Sequence, residues 1–273
     1  MIQTSRGRGV RGMRGLLFVC SLLLLSTGCS SENQQTVAAQ DTSAVPMPPT
    51  DLYAGSPYLR ELRNDVVYGE IWERPQLSKR DRSLITIAVL QALAREELGI
   101  HIPRGLDNGL TPEEIAEIIL HVTFYAGWPT GVQASITASE VFDERGLTLG
   151  ELGRAPAQTE STTPSSLSDA YAAVPRLGAL RNSLLYGDIW ERPLLSKRDR
   201  SLITVAVNQA LYVTNELRLH IDRALDQNGV TPQELSEVVL HVTFYAGWPA
   251  AVNAGRLLTA AFESRGVVFT DLE

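Results

Sequence analysis

Thiols are almost missing from this sequence. Its 273 residues hold two cysteines, Cys20 and Cys29, and both lie in the first 29 positions. The remainder of the chain therefore has no disulfide, no thiolate metal site and no cysteine nucleophile. Histidine is scarce too, with four in the chain. They are a weak ligand set without cysteine, and the HExxH pattern does not occur, so neither a metal nor any other cofactor is expected. No stretch alternates apolar and polar residues in the two-residue rhythm of a strand. Long charge runs are absent as well, and the formal net charge is −7, which speaks against a nucleic-acid partner.

The N-terminus has the layout of an export signal. Arg6, Arg8, Arg11 and Arg14 precede the apolar run Leu16–Leu25, which is too short to span a bilayer. The following LLLLSTGC resembles a bacterial lipobox, with Cys29 as the lipidated first residue. The reading is a signal peptide over 1–28, a lipidated polar tether over 29–51, and a membrane partner reached through the lipid. The expected location is the periplasm or cell surface, on the outer membrane if the cell has one. Removing 1–28 takes away four arginines and no acids, leaving 20 basic against 31 acidic residues, a net of −11.

The rest of the chain is written twice. WERPQLSKRDRSLITIAV from Trp72 recurs from Trp190 with two changes, and LHVTFYAGWP at Leu120–Pro129 recurs unchanged at Leu240–Pro249. The offset grows from 118 at the Trp to 119 at His101/His220 and 120 at His121/His241, so two single residues are inserted in the second copy. A period near 120 is too long for a solenoid repeat, so this is a duplicated domain. The copies are 52–146 and 168–273, with the Ser/Thr/Pro-rich 147–167 as linker. Helix starts recur in both: SKRD with a serine cap, and Thr-Pro-x-Glu at Thr111 and Thr231. The stretch Ile115–Phe124 is apolar nearly all round, which requires cover from the other copy or from another chain. Gly127 and Gly247 are expected to end helices in the left-handed conformation. The fold class is all-α.

The residues able to do chemistry fall at matched positions. His101 and His220 each follow a glutamate by four, Glu97 and Glu216; His121 and His241 follow Glu117 and Glu237 by four, with Tyr125 and Tyr245 four further on. On a helix these pairs share a face. A carboxylate beside an imidazole would raise its proton affinity and orient the ring, as a proton shuttle needs. His121 and His241, on apolar helices, have an equally good reading as buried structural histidines. Arg82 and Arg200 could bind a substrate carboxylate, or with Arg80 and Arg198 form plain salt bridges to the adjacent Asp. Trp128 and Trp248 either pack as core or wall a substrate pocket.

In order and type, LSKRDRSLITVAV, NELRLHIDRAL and GVTPQELSEVVLHVTFYAGWPAAVNA resemble the carboxymuconolactone decarboxylase family of the alkylhydroperoxidase-like fold, over roughly 58–146 and 176–266. The resemblance implies two tandem helical domains forming a pseudo-dimer, and a homo-oligomeric ring, for instance a trimer of two-domain chains. The peroxidase branch carries Cys-x-x-Cys before a His. Aligned on the histidines, those positions are Ala94 and Glu97 in the first copy and Val213 and Glu216 in the second, so thiol peroxidase chemistry is excluded. The decarboxylase branch implies cofactor-free loss of CO2 from a small carboxylated lactone, or its isomerisation. Arg200, Glu216–His220 and His241–Tyr245 would line one cavity of the second copy, which keeps the pattern better because Pro103 replaces Asp222 in the first. The alternative is a non-catalytic, lipid-anchored binding or scaffold module.

Overall fold

In each copy a single polar side chain decides where the longest buried helix begins. Ser78 Oγ accepts the Asp81 N–H at 3.1 Å and starts α2 (Lys79–Ala92); Ser196 Oγ accepts the Asp199 N–H at 3.0 Å and starts α7 (Lys197–Ala210). The computed structural model describes residues 51–153 and 171–272. The signal peptide, Cys29, nearly all of the tether, most of the linker and the expected start of the second copy lie outside these residues. Ten α-helices and no strand are present among the described residues.

The copies share one element order. Short helices α1 (Pro57–Leu62) and α6 (Pro175–Leu180) run into π turns at Arg63–Tyr68 and Arg181–Tyr186, then 3-10 turns at Ile71–Glu73 and Ile189–Glu191. There follow α2, α3 (Leu98–Asp107), α4 (Pro112–Ala126) and α5 (Trp128–Glu144), matched by α7, α8 (Thr214–Asp226), α9 (Pro232–Ala246) and α10 (Trp248–Glu263). Both Thr-Pro-x-Glu signals form complete capping boxes, at Thr111/Glu114 and Thr231/Glu234. Each contributes about 1 kcal/mol. Gly127 and Gly247 do have positive φ, +92°, but ψ is near +157° rather than helical. That extended corner is open essentially only to glycine, and it turns α4 into α5 and α9 into α10.

The two one-residue insertions sit at the two ends of α8. Ala94 and Tyr212, both at positive φ, are equivalent and still offset by 118. Leu98 and Leu217 are equivalent buried residues offset by 119, so one insertion lies between Tyr212 and Leu217, where α8 begins three residues ahead of Leu217 while α3 begins at Leu98 itself. Asn108 and Asn228 both donate to the hydroxyl of a serine on the buried helix, Ser83 and Ser201, and are offset by 120; the other insertion therefore ends α8. Pro103 is the sixth residue of α3, beyond the first turn, so α3 forgoes a backbone bond there. Asp222 in its place bonds Arg218 at 3.0 Å and Arg265 at 2.9 Å.

The core is built across the copies. From the third residue onward α2 and α7 are buried on every side, and they pack most extensively on each other. Arg80 reaches Asp199 at 3.3 Å and Arg198 reaches Asp81 at 2.9 Å, tying their starts together. The all-apolar helix α4 lies on its own α2 and α5 and on α7 of the other copy; α9 lies reciprocally on α7, α10 and α2. That exchange decides which residues meet.

Candidate functional site

Because α9 crosses α2, histidines of one copy meet arginines of the other. Arg82 donates from Nη2 to Glu237 Oε1 at 3.0 Å and to the Arg74 carbonyl at 2.7 Å, while its Nη1 lies 3.4 Å from His241 Nδ1. Arg74 Nε donates to the same carboxylate at 2.9 Å and 3.1 Å. Thr86 Oγ1 donates to the Arg82 carbonyl at 2.7 Å and stands 2.9 Å from His241 Nε2. The hydroxyl proton is thus committed and the guanidinium only donates, so His241 carries its proton on Nε2 and donates it to Thr86. Trp72 Nε1 donates to Tyr245 Oη at 3.0 Å. The His101 ring stacks on Trp72, with centroids 6.3 Å apart, and meets the Tyr245 ring edge-on at 5.5 Å.

The second site repeats this with the copies exchanged. Arg200 meets Glu117 at 3.0 Å, the Arg192 carbonyl at 2.9 Å and His121 Nδ1 at 3.4 Å. Thr204 holds His121 Nε2 at 2.9 Å, Trp190 donates to Tyr125 Oη at 2.9 Å, and the His220 ring stands 5.6 Å from Tyr125. Each site is therefore composite, and neither copy owns one. The expected grouping of Arg200, His220, His241 and Tyr245 is corrected: Arg200 and His220 join His121 and Tyr125, while His241 and Tyr245 join Arg82 and His101.

Other expected pairings change as well. Glu117 and Glu237 bind arginines of the other copy rather than their own i+4 histidines, because two guanidinium groups outbid one neutral ring. Glu97 and Glu216 are exposed, and among the described residues neither side chain bonds His101 or His220. Glu97 stands at the N-cap position of α3 without a side-chain cap and lines the cleft onto which His101 opens, and Glu216 lies in the first turn of α8, while the histidines turn in to stack on tryptophan. Arg82 and Arg200 are fully buried behind the aromatic residues. Trp128 and Trp248 are 69% exposed, on outer grooves of about 500 and 470 Å³ formed by α4/α5 and α9/α10. The first of these grooves reaches Glu117 and Arg192 from behind.

The expected rise in imidazole basicity is reversed. Burial pushes His101 down to about 4, assisted by the Arg104 cation, and His220 down to about 3, assisted by Arg223. Burial, then the adjacent arginine, holds His241 and His121 well below the usual range. Burial also raises Tyr245 and Tyr125 above the ordinary phenol value. All these groups are neutral near pH 7. Unfolded histidine takes its proton near 6.5, so between that value and 4 or 3 the unfolded chain binds more protons than the folded one. The stabilisation is complete above pH 6.5 and is lost as the pH falls. Between pH 7 and 4.5 the urea midpoint should fall in the unaltered protein and fall less in His101→Gln/His220→Gln. Parallel declines in the two proteins would contradict these shifts.

The charged side chains of the His101 cleft are two arginines and one carboxylate, Arg63, Arg95 and Glu97, so cations prevail there. Arg74 and Arg82 share one carboxylate, leaving a net positive charge beside a neutral histidine. Arg63 and Arg104 flank the Tyr68 ring at 4.7 and 5.0 Å, and neither pairs with a carboxylate among the described residues. A cleft of about 640 Å³ opens onto His101 and Tyr245, with Arg63 and Arg95 in its wall and Leu59, Val66, Leu90 and Phe244 supplying hydrocarbon. Arg181, Arg223 and Tyr186 repeat the cation–aromatic cluster in the other copy. This chemistry suits a small anion held at one end, with its reacting part against apolar walls and two neutral proton carriers. The sequence reading missed Trp72/Trp190, Arg74/Arg192, Thr86/Thr204, Arg63/Arg181 and Tyr68/Tyr186. The perfect repetition of WERP was the available signal for the first two pairs.

The profile of the carboxymuconolactone decarboxylase family matches residues 57–140 and 175–260. A 4-carboxymuconolactone decarboxylase of Acinetobacter baylyi is 48% identical over 81 residues, 29% of this chain and 60% of that protein. The nitrosuccinic acid decarboxylase of Metarhizium robertsii is 34% identical over 86 residues, 31% of this chain and again 60% of the relative. Each alignment thus spans less than two thirds of the relative, and about one copy of this chain. With both copies matched in tandem, the chain belongs to the carboxymuconolactone decarboxylase family.

Proposed function

We propose that this chain is a cofactor-free carboxy-lyase acting on a small carboxylated, lactone-like substrate at two sites, each shared between the copies. The observation that carries this reading is a neutral histidine and a neutral tyrosine, His101 and Tyr245, facing one another in an apolar cleft that has unpaired arginine at its wall. Arg63 holds an anionic or polar end of the substrate. The carboxylate to be lost lies against Leu59, Val66 and Leu90, where its concentrated charge is poorly solvated. That charge disperses as the C–C bond breaks, so an apolar wall favours the transition state over the ground state. CO2 leaves, the electron pair passes into the conjugated carbonyl, and the dienolate takes a proton at carbon. Tyr245, whose oxygen accepts the Trp72 N–H, gives the dienolate its proton, and His101 returns one from water.

The names of the relatives supply the first compounds to try. Purified protein is expected to release CO2 from 4-carboxymuconolactone, nitrosuccinic acid, or both. A folded protein that turns over neither sinks the enzyme reading in favour of a non-catalytic binding module. Export and lipid attachment at Cys29 belong to the same proposal, supported by the basic and apolar segments before it; Cys29→Ser should move the protein from the membrane to the soluble fraction, and equal partition would refute the anchor. Exposed Trp128, Val132, Trp248 and Val252 support further copies of the chain as neighbours in a ring.

A further inference from the structure

We infer that the two composite sites take different substrates, and that Asn208 sets the specificity of the second. On α2 the residues Arg82, Thr86 and Leu90 stand four apart on one face, and on α7 their equivalents are Arg200, Thr204 and Asn208. The first two positions are identical and hold the histidine of the opposite copy in the same way. The third position differs. Leu90 lines the first cleft beside Phe244 and Tyr245, so pseudo-symmetry puts Asn208 in the corresponding wall beside Phe124 and Tyr125. There the Asn208 side chain is 3% exposed, and its Nδ2 has no hydrogen-bond partner among the described residues.

Folding does not require that amide. Leucine fills the same position in the first copy, at 4% exposure. An amide buried without a partner is a standing cost that proteins seldom carry without use. A ligand oxygen entering the cleft would satisfy it. The rim differs in a compatible way. The Arg95 N–H bonds the Leu90 carbonyl at 2.9 Å, and the Val213 N–H bonds the Asn208 carbonyl at 3.0 Å, so Arg95 and Val213 are equivalent. Arg95 lines the first cleft and forms no ion pair among the described residues. The first site thus combines a hydrocarbon wall with Arg95 and Glu97 at the rim, whereas the second has an amide in the wall and Val213 where the first has Arg95. Resting on the reading that both sites bind carboxylates, this assigns to the first an acid with an alkyl flank and a second negative end. To the second it assigns an acid bearing a hydroxyl or carbonyl on that flank.

An isosteric pair of probes separates the two, 3-methylglutarate and 3-hydroxyglutarate, titrated calorimetrically into the intact protein. The unaltered protein should show two classes of site for 3-hydroxyglutarate, about tenfold apart, the effect of one buried hydrogen bond. Asn208→Leu reproduces a residue the first copy already packs; it should abolish the tighter class and leave both sites preferring the methyl compound. Leu90→Asn should create a second tight class, and if that variant does not fold, Asn208→Leu alone decides. Two unchanged classes in Asn208→Leu overturn the inference and leave the carboxylate reading standing. Failure of either acid to bind the unaltered protein overturns the carboxylate reading, and the inference with it.

Discussion

The double variant His101→Gln/Tyr125→Phe is expected to lose activity at both sites, whereas His101→Gln/Tyr245→Phe keeps the full activity of one. The contrast is counter-intuitive from the sequence, since His101 and Tyr125 belong to the same copy. The His101 ring meets Tyr245 of the other copy at 5.5 Å, and Tyr125 meets His220 at 5.6 Å. Altering His101 with Tyr245 therefore damages one cleft twice, while altering it with Tyr125 damages each cleft once. Loss of a proton carrier lowers turnover by roughly 10²–10⁴-fold, so the two variants should differ by about that factor on a substrate both sites accept. On a substrate only the first site accepts, the comparison is made with His220→Gln in place of His101→Gln, and the pairing of tyrosines reverses; on one only the second site accepts, the His101→Gln pair serves as it stands. Phe keeps the ring packing, and Gln replaces a histidine that sits at the edge of the core, so folding is preserved. Steady-state rates in which His101→Gln/Tyr125→Phe outperforms His101→Gln/Tyr245→Phe would show that each copy holds its own site.

How far the sequence was legible follows the range of the forces involved. Helix starts are local, and Ser78, Ser196, Thr111 and Thr231 announced them because the capping oxygen and the N–H it accepts are three residues apart. Burial of Ile115–Phe124 was legible from composition alone, and so was the need for cover from elsewhere. Which element supplied the cover was not, since nothing local says that α4 crosses α7 of the other copy. The site errors descend from that one gap. An i,i+4 rule proposes Glu237 for His241, but the carboxylate had two guanidinium groups available from 155 and 163 residues away in sequence. Proton affinity was misjudged for the same reason. With the carboxylate spent on arginine, His241 meets burial and a cation, both of which lower it. Glu97 and Glu216 shared a helical phase with His101 and His220, yet helix ends are where phase is least binding, and both side chains are exposed without bonding those rings, Glu97 at the mouth of the cleft.

Removing Glu117 should destabilise the chain by about 3–5 kcal/mol, because it strands buried guanidinium groups rather than merely deleting a contact. Arg200 is fully buried, and Arg192 binds the same carboxylate at 2.8 Å. With Glu117→Ala both cations face one another in a site already poor in water. A chain of this size loses roughly 2–4 °C in midpoint per kcal/mol, so the thermal transition should drop by on the order of 10 °C. Asp107→Ala supplies the comparison. It breaks an ion pair with Arg145 that is open to solvent, and the change should stay within about 1 kcal/mol. Equal shifts for the two variants would mean that the buried cluster is not desolvated as described. Stability alone does not account for keeping such a cluster, since apolar residues of like volume commonly serve as well. Arg192→Met/Arg200→Met/Glu117→Leu should therefore recover most of the stability that Glu117→Ala loses. It should not recover activity at the second site. Arg200 fixes His121 from one side as Thr204 does from the other, and the His121 ring packs on Tyr125 at 5.2 Å and Trp190 at 5.1 Å. Without that cation and carboxylate, the tyrosine facing the cleft is no longer held to the geometry in which its proton can be given.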